Sequence, residues 1–406
     1  MTIPLERRLG TADAVFIGLG SMIGAGVFAA FTPAAQAAGS GLLIGLAVAA
    51  LVALCNALAS AQLAALYPTS GGTYVYGRER LGAWWGFVAG WGFVVGKTAS
   101  CAAMALTFAF VAAPSGWERP VAAIVVLALG AVNYLGVAKT ATLTKVIVVA
   151  VLVGLAIGVG GASPAWHGID ASGLFDHGPY GILQSAGLLF FAFAGYARVA
   201  TLGEEVRDPA RTIPRAIVIA LAITVGVYGV VAVVLLGVLG DELATTANPL
   251  ATVVAGSWVG GVVRLATALA SLGALLGLMA GIGRTTLAMA REGDLPVWLA
   301  AVHPRFRVPY RAEIVLTLVV VGLVLLIDVR SAIGFSSFGV LAYYFVANVA
   351  ALTLDAPSRR FPRALFVGGA ALCALLVATL PFASVAGGVA VIAAGVLYRV
   401  ARRTFA

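Results

Sequence analysis

Twelve apolar runs separated by short polar punctuation leave this 406-residue chain few folds to choose from. They fall at 14–38, 41–66, 84–113, 121–137, 146–160, 181–202, 213–239, 262–290, 314–327, 333–354, 364–380 and 385–400. A helix needs about 20 mostly apolar residues to cross a hydrocarbon core of about 30 Å, so the pattern predicts an all-α membrane protein of 12 transmembrane helices. Composition agrees: 62% of residues are hydrophobic and 10% charged, where a water-soluble domain carries roughly 25% charged residues. The 50 glycines and 16 prolines are too many for a coiled coil. Cys55, Cys101 and Cys373 all lie inside apolar runs, which suits packed thiols better than a bridge or a metal site. The first ten residues are polar and the first run is too long for a signal peptide, so no trimming is expected.

The net charge of +9 does not point to nucleic acid, because the basic residues are scattered through the connections. With the N-terminus inside, the inner segments hold 19 of the 25 Lys and Arg, from Arg7 to Arg403. The outer ones hold only Arg119, Arg264 and Arg330, a residue within two of a run's end being counted with the adjoining segment, and Lys97, Arg198 and Arg284 fall deeper within runs. That asymmetry places both termini in the cytoplasm by the positive-inside rule. The longest polar stretches, 161–180 and 291–311, are too short to bury a core, so function must reside within the bundle. No phosphate-binding loop, zinc spacing or nucleophile elbow appears, which argues against an ATP-driven pump or an enzyme; neither a cofactor nor an obligate protein partner is expected.

Two runs are interrupted by small residues. The first carries Gly18, Gly20, Gly24 and Gly26 within nine residues. Each costs roughly 1 kcal/mol of helix stability against alanine, so the helix is expected to unwind there unless the glycines serve close packing. The sixth run repeats the theme at Phe191-Ala192-Phe193-Ala194-Gly195-Tyr196. Five helices plus five, with the first of each set interrupted, is the mark of an inverted-repeat transporter that binds its solute between half-helix ends. Exposed amides at a half-helix N-terminus suit a carboxylate and orphan carbonyls suit an ammonium, so a zwitterion fits both.

The residues resemble the amino acid–polyamine–organocation (APC) superfamily of secondary transporters, with the LeuT-type fold. Gly20-Ser21-Met22-Ile23-Gly24-Ala25-Gly26-Val27-Phe28 is similar to its helix-one signature. Gly203-Glu204-Glu205-Val206-Arg207-Asp208-Pro209 with Ile213-Pro214 resembles the signature after helix six, and Ala288-Met289-Ala290-Arg291-Glu292-Gly293-Asp294-Leu295-Pro296 the one after helix eight. The resemblance implies amino acid transport by alternating access, with repeats at about 11–160 and 180–355 inside a core of 1–360, and accessory helices in 361–406. It places the substrate against Met22, Ile23, Gly24, Ala25 and Gly26 and against Phe191, Ala192, Phe193, Ala194 and Tyr196. Within that set the amides of Ala25 and Gly26 take the carboxylate, the carbonyls of Met22, Phe191 and Ala194 take the ammonium, and Phe193 and Tyr196 act as wall or gate.

Lys97 lies thirteen residues into the third run, roughly 20 Å along a helix and far from either surface. A cation there costs at least about 2.5–3.5 kcal/mol and by default marks function. A lysine, unlike an arginine, can give up its proton, which makes Lys97 the proton-coupling candidate. The lysine that several relatives carry on helix five is Val151 here, and the hydroxyl ligands of sodium-coupled relatives are Gly273 and Ala274. Sodium wants oxygen ligands, so H+ coupling or exchange is expected and sodium is not. Arg198 must stay ionised; it pairs with Glu204 or Glu205, or it biases the cavity toward an anionic side chain or gates the inner exit. Arg284 is expected to snorkel.

The reading is an L-amino acid carrier, neutral by preference because no acid flanks either interruption. An acidic amino acid or another small organic solute is the rival. A passive channel would need a polar-lined pore, and a non-transporting sensor would bind without uptake.

Overall fold

The computed structural model describes residues 9–68, 71–136, 141–170, 172–200, 202–203 and 205–404, apart from the side chains of 141, 142, 403 and 404. The first run forms α1 (Thr11–Met22), α2 (Gly26–Ala29) and α3 (Phe31–Ala38), and the second forms α4 (Leu42–Leu66). A short α5 (Thr73–Leu81) leads into α6 (Ala83–Ala112), followed by α7 (Glu118–Tyr134) and α8 (Ala141–Ala162). The sixth run forms α9 (Gly178–Phe193) and α10 (Ala197–Ala200). Then come α11 (Pro209–Leu239), α12 (Pro249–Val253), α13 (Trp258–Arg291), α14 (Tyr310–Leu326), α15 (Val329–Leu352), α16 (Arg363–Thr379) and α17 (Phe382–Thr404).

Each apolar run coincides with helix. Among the described residues nine spans are long and apolar enough to cross a membrane. The fourth, ninth and eleventh runs form α7, α14 and α16, each of 17 residues. At 1.5 Å per residue these reach about 25 Å, so crossing by them draws on flanking residues or a thinner bilayer.

Helix ends follow local chemistry. α6 starts after Gly82 at φ 100, a backbone conformation that side chains rarely adopt. α11 has Pro209 in its first turn, where the missing N–H costs nothing, and stops at Gly240 with φ 50. The Asp328 carboxylate accepts the Ser331 amide at 2.8 Å and caps α15.

The bundle is built around the interrupted segments. The apolar stretch within Gly178–Ala200 is 83% buried and that within Phe382–Arg402 only 22%, which puts α9 and α10 at the centre and α17 on the outside. α6 packs along α13 and α15, and α4 along α9 and α11. Outer helices expose Ile124, Leu127, Val149, Val153, Leu318 and Leu397. So much contiguous apolar surface suits lipid and would aggregate in water.

The ion pairs gather at one end. Asp13 meets Lys145 at 2.6 Å, Arg284 meets Glu205 at 2.9 Å and Arg78 meets Glu292 at 2.8 Å. There Leu9 and Val206 form an isolated parallel bridge, with the Leu9 amide donating to the Glu205 carbonyl at 3.0 Å. This is the end where the sequence concentrates its basic residues.

Candidate functional site

The two interruptions differ in kind. α1 ends at Met22, and Ile23 leaves helical geometry at φ −79, ψ 61 before α2 restarts at Gly26. This is a true break, in the place that the clustered glycines predict. The sixth run is tightened instead of unwound: α9 runs to Phe193, a single 3-10 turn covers Ala194–Tyr196, and α10 continues. A 3-10 turn keeps i→i+3 bonds, so fewer carbonyls are released there than a full break would free.

The interruptions touch. A Cβ placed on Gly26 would lie 2.6 Å from the Cα of Ala192, and one placed on Gly195 would overlap the Ser21 carbonyl. Tyr228 of α11 clamps them, its hydroxyl 2.6 Å from the Met22 carbonyl and 3.0 Å from that of Ala192. The sequence reading missed Tyr228, although it is the sole tyrosine in the seventh run, and a buried phenol in a membrane helix needs an acceptor.

Beside this junction lies a cavity of about 40 Å³, lined by Met22, Gly26, Phe93, Lys97, Ser100, Phe191, Ala192, Ala194, Arg198 and parts of α13. Lys97 is 4% exposed, and its Nζ donates to the Ala194 carbonyl at 3.0 Å. The three carbonyls expected to face an ammonium are therefore all engaged. Met22 accepts from Tyr228 and from the Gly24 amide, Phe191 from the Ala194 amide, and Ala194 from Lys97.

The other expected residues sit apart. Ala25 is fully buried beside the break, and Gly24 packs against Ala274. Phe193 turns onto Tyr228 at a ring distance of 5.0 Å and Tyr196 onto Tyr344 at 4.9 Å, both in the packed core. The aromatic rings that line the cavity are those of Phe93 and Phe191. The helical turn decides this: Phe191 and Phe193 are two residues apart and leave the helix on different sides.

A second cavity, of about 270 Å³, shares Ser21, Arg198, Ala274 and Gly277 with the first and extends toward the ion-paired end. Ile23, Glu205 and Arg284 line it, as do Val151 and Gly273. Glu205, one of the two acids expected beside Arg198, pairs with Arg284, which the sequence left as a snorkelling residue. Glu204 lies outside the described residues. A third cavity, of about 610 Å³, opens on the opposite side between Thr32, Gln36, Phe110, Arg119 and Asp328. Tyr343 and Asn348 serve helix contacts: the Tyr343 hydroxyl accepts the Thr73 amide at 2.9 Å, and Asn348 donates to Asn56 at 2.6 Å.

A family model described as amino acid permease matches residues 9–400. The chain belongs to the amino acid permease family. As a permease it is an integral membrane transporter and not an enzyme, in a family of amino acid transporters. An uncharacterized transporter of Mycobacterium tuberculosis is 60% identical over 404 residues, covering 97% of this chain and 90% of its own length. The branched-chain amino acid permease BcaP of Bacillus subtilis is 26% identical over 388 residues, 89% of this chain and 83% of that one. The chloroplastic cationic amino acid transporter 7 of Arabidopsis thaliana is 29% identical over 378 residues, 85% of this chain and 65% of its own.

Proposed function

We propose that this permease moves a neutral or acidic L-amino acid across the cytoplasmic membrane by alternating access, with twelve crossings, both termini in the cytoplasm and the first ten helices as two inverted repeats of five. The observation that carries the reading is the α1 break held against the α9–α10 turn by Tyr228, with a cavity beside it. In this arrangement the amide end of α2 meets the solute carboxylate. The carbonyls around Met22 and Ala194 meet its ammonium once the side chains now on them move. Relatives bear names for both branched-chain and cationic amino acids. The lining of this cavity includes Lys97 and Arg198 and no Asp or Glu among the described residues, which disfavours a cationic solute.

Transport is proton-coupled or exchanging, with Lys97 as the proton carrier. Val151, Gly273 and Ala274 line the second cavity with apolar groups, which supports a sodium-independent cycle. Arg198 lines both cavities and gates the passage between them, while the Arg284–Glu205 pair closes the inner exit. No protein partner is needed for this cycle. Counterflow in proteoliposomes with a panel of labelled amino acids, run with and without a pH gradient, tests the reading. Saturable exchange of at least one amino acid supports it. Unsaturable conductance would replace it with a channel, and binding without uptake with a sensor.

A further inference from the structure

Lys97 stands where a solute's own ammonium would be expected to stand. Its Nζ is 3.0 Å from the Ala194 carbonyl, which is its one polar partner among the described residues. Its side chain is buried, and Arg198 is the only other ionisable residue in the cavity lining among those residues. A single neutral acceptor offsets little of what it costs to hold an ammonium away from water; a carboxylate beside it would offset much more.

We infer that Lys97 is the anchor for a carboxylate on the side chain of the transported amino acid, so that the substrate is acidic. This inference rests on the amino acid transport reading and narrows it. With Lys97 and Arg198 both in the lining, a cationic amino acid would add to the positive charge of the cavity and a zwitterion would leave it unchanged, whereas aspartate or glutamate lowers it by one. Space points the same way. A cavity of about 40 Å³ holds a few waters and no amino acid, since each water occupies roughly 10–15 Å³ of such volume. The solute enters only as Lys97 shifts. An arriving carboxylate supplies the attraction that draws Nζ off the Ala194 oxygen, and that oxygen is then free for the solute's α-ammonium. One exchange of partners both admits the substrate and completes its site.

The test uses the full chain in proteoliposomes preloaded with aspartate, glutamate, leucine or lysine, with labelled counterparts outside. The expected result is counterflow of an acidic amino acid at least about 30-fold above leucine, the scale set by one member of a buried charge pair. Lys97→Met should lose that preference and Lys97→Arg keep part of it. Glutamate should raise the melting temperature of the purified wild type but not that of Lys97→Met. Wild-type exchange of leucine without aspartate or glutamate overturns the anchor and leaves amino acid transport standing. So does glutamate exchange by Lys97→Met at the wild-type rate. If Lys97→Met does not fold, the wild-type panel and Lys97→Arg decide. If no amino acid of any charge moves, the transport reading fails and the anchor fails with it.

Discussion

The hydroxyl of Tyr228 lies 2.6 Å from the carbonyl of Met22, the last residue before the helix break, and the same hydroxyl reaches Ala192 on the facing segment. One proton on α11 therefore holds both interruptions at a fixed separation. Removing it with Tyr228→Phe takes the shared donor from both carbonyls, of which Met22 keeps the Gly24 amide, at a cost of about 1–3 kcal/mol. Thermal unfolding of the purified permease should show a loss of that size, and amino acid counterflow should slow by about tenfold or more. Counterflow at the wild-type rate would remove Tyr228 from the transport cycle.

Gly195 and Gly26 have no room for a methyl group, each pressed against the backbone of the opposite interruption. Gly195→Ala and Gly26→Ala should each destabilise by about 1–3 kcal/mol through overpacking. Gly226 of α11 has open space where its Cβ would go. There Gly226→Ala should be neutral or stabilising by up to about 1 kcal/mol. Melting temperatures of the three variants, measured side by side in one detergent, check the contrast.

Asp294 ties α5 to α17. Its carboxylate meets Arg399 of α17 at 2.7 Å and Arg78 of α5 at 3.6 Å, and accepts the Tyr74 hydroxyl at 2.9 Å. The side chains of Asp294 and Arg399 are 5% and 3% exposed, and the guanidinium also lies over Trp84 and Phe87 at 4.6 and 4.8 Å. Asp294→Asn should cost about 3–5 kcal/mol, the penalty of leaving buried cations without their carboxylate. A double-mutant cycle with Arg399→Met should recover part of that loss. Additive losses in the cycle would show that the pair is not coupled.

Arg284 and Glu205 are a third and a quarter exposed, so their 2.9 Å pair is worth about 0–1 kcal/mol. Glu205→Gln should leave the melting point nearly unchanged while altering the rate of counterflow, as expected of a gate. An unchanged rate would make the pair a surface contact and nothing more.

Replacing sodium by choline on both sides of the membrane should leave uptake unchanged, because Val151, Gly273 and Ala274 present no oxygen side chain to the second cavity. A fall in uptake would point to a cation site elsewhere in the bundle.

The all-helical bundle, the break in the first run and the burial of Lys97 were legible from residue order, because each follows from local hydropathy or from glycine's weak helix propensity. The sixth run was harder to read: one glycine among phenylalanines and alanines tightens a helix without opening it, and only backbone geometry separates the two outcomes. In the sequence Arg399 is only one of the basic residues counted at the inner side. Its buried carboxylate comes from a loop on the far side of the sequence, and apolar periodicity carries no record of which loop a helix end will meet.

From residue order alone came a membrane bundle of this family, with its basic end and its interrupted segments, since lipid forces every backbone group to be satisfied within its own helix. Tertiary structure alone decided that Tyr228 ties the interruptions together, that Phe191 faces the cavity while Phe193 and Tyr196 face the core, and that Lys97 rests on Ala194. Those contacts depend on which helix faces are brought within about 3 Å of each other, and packing sets that distance only after the chain has folded.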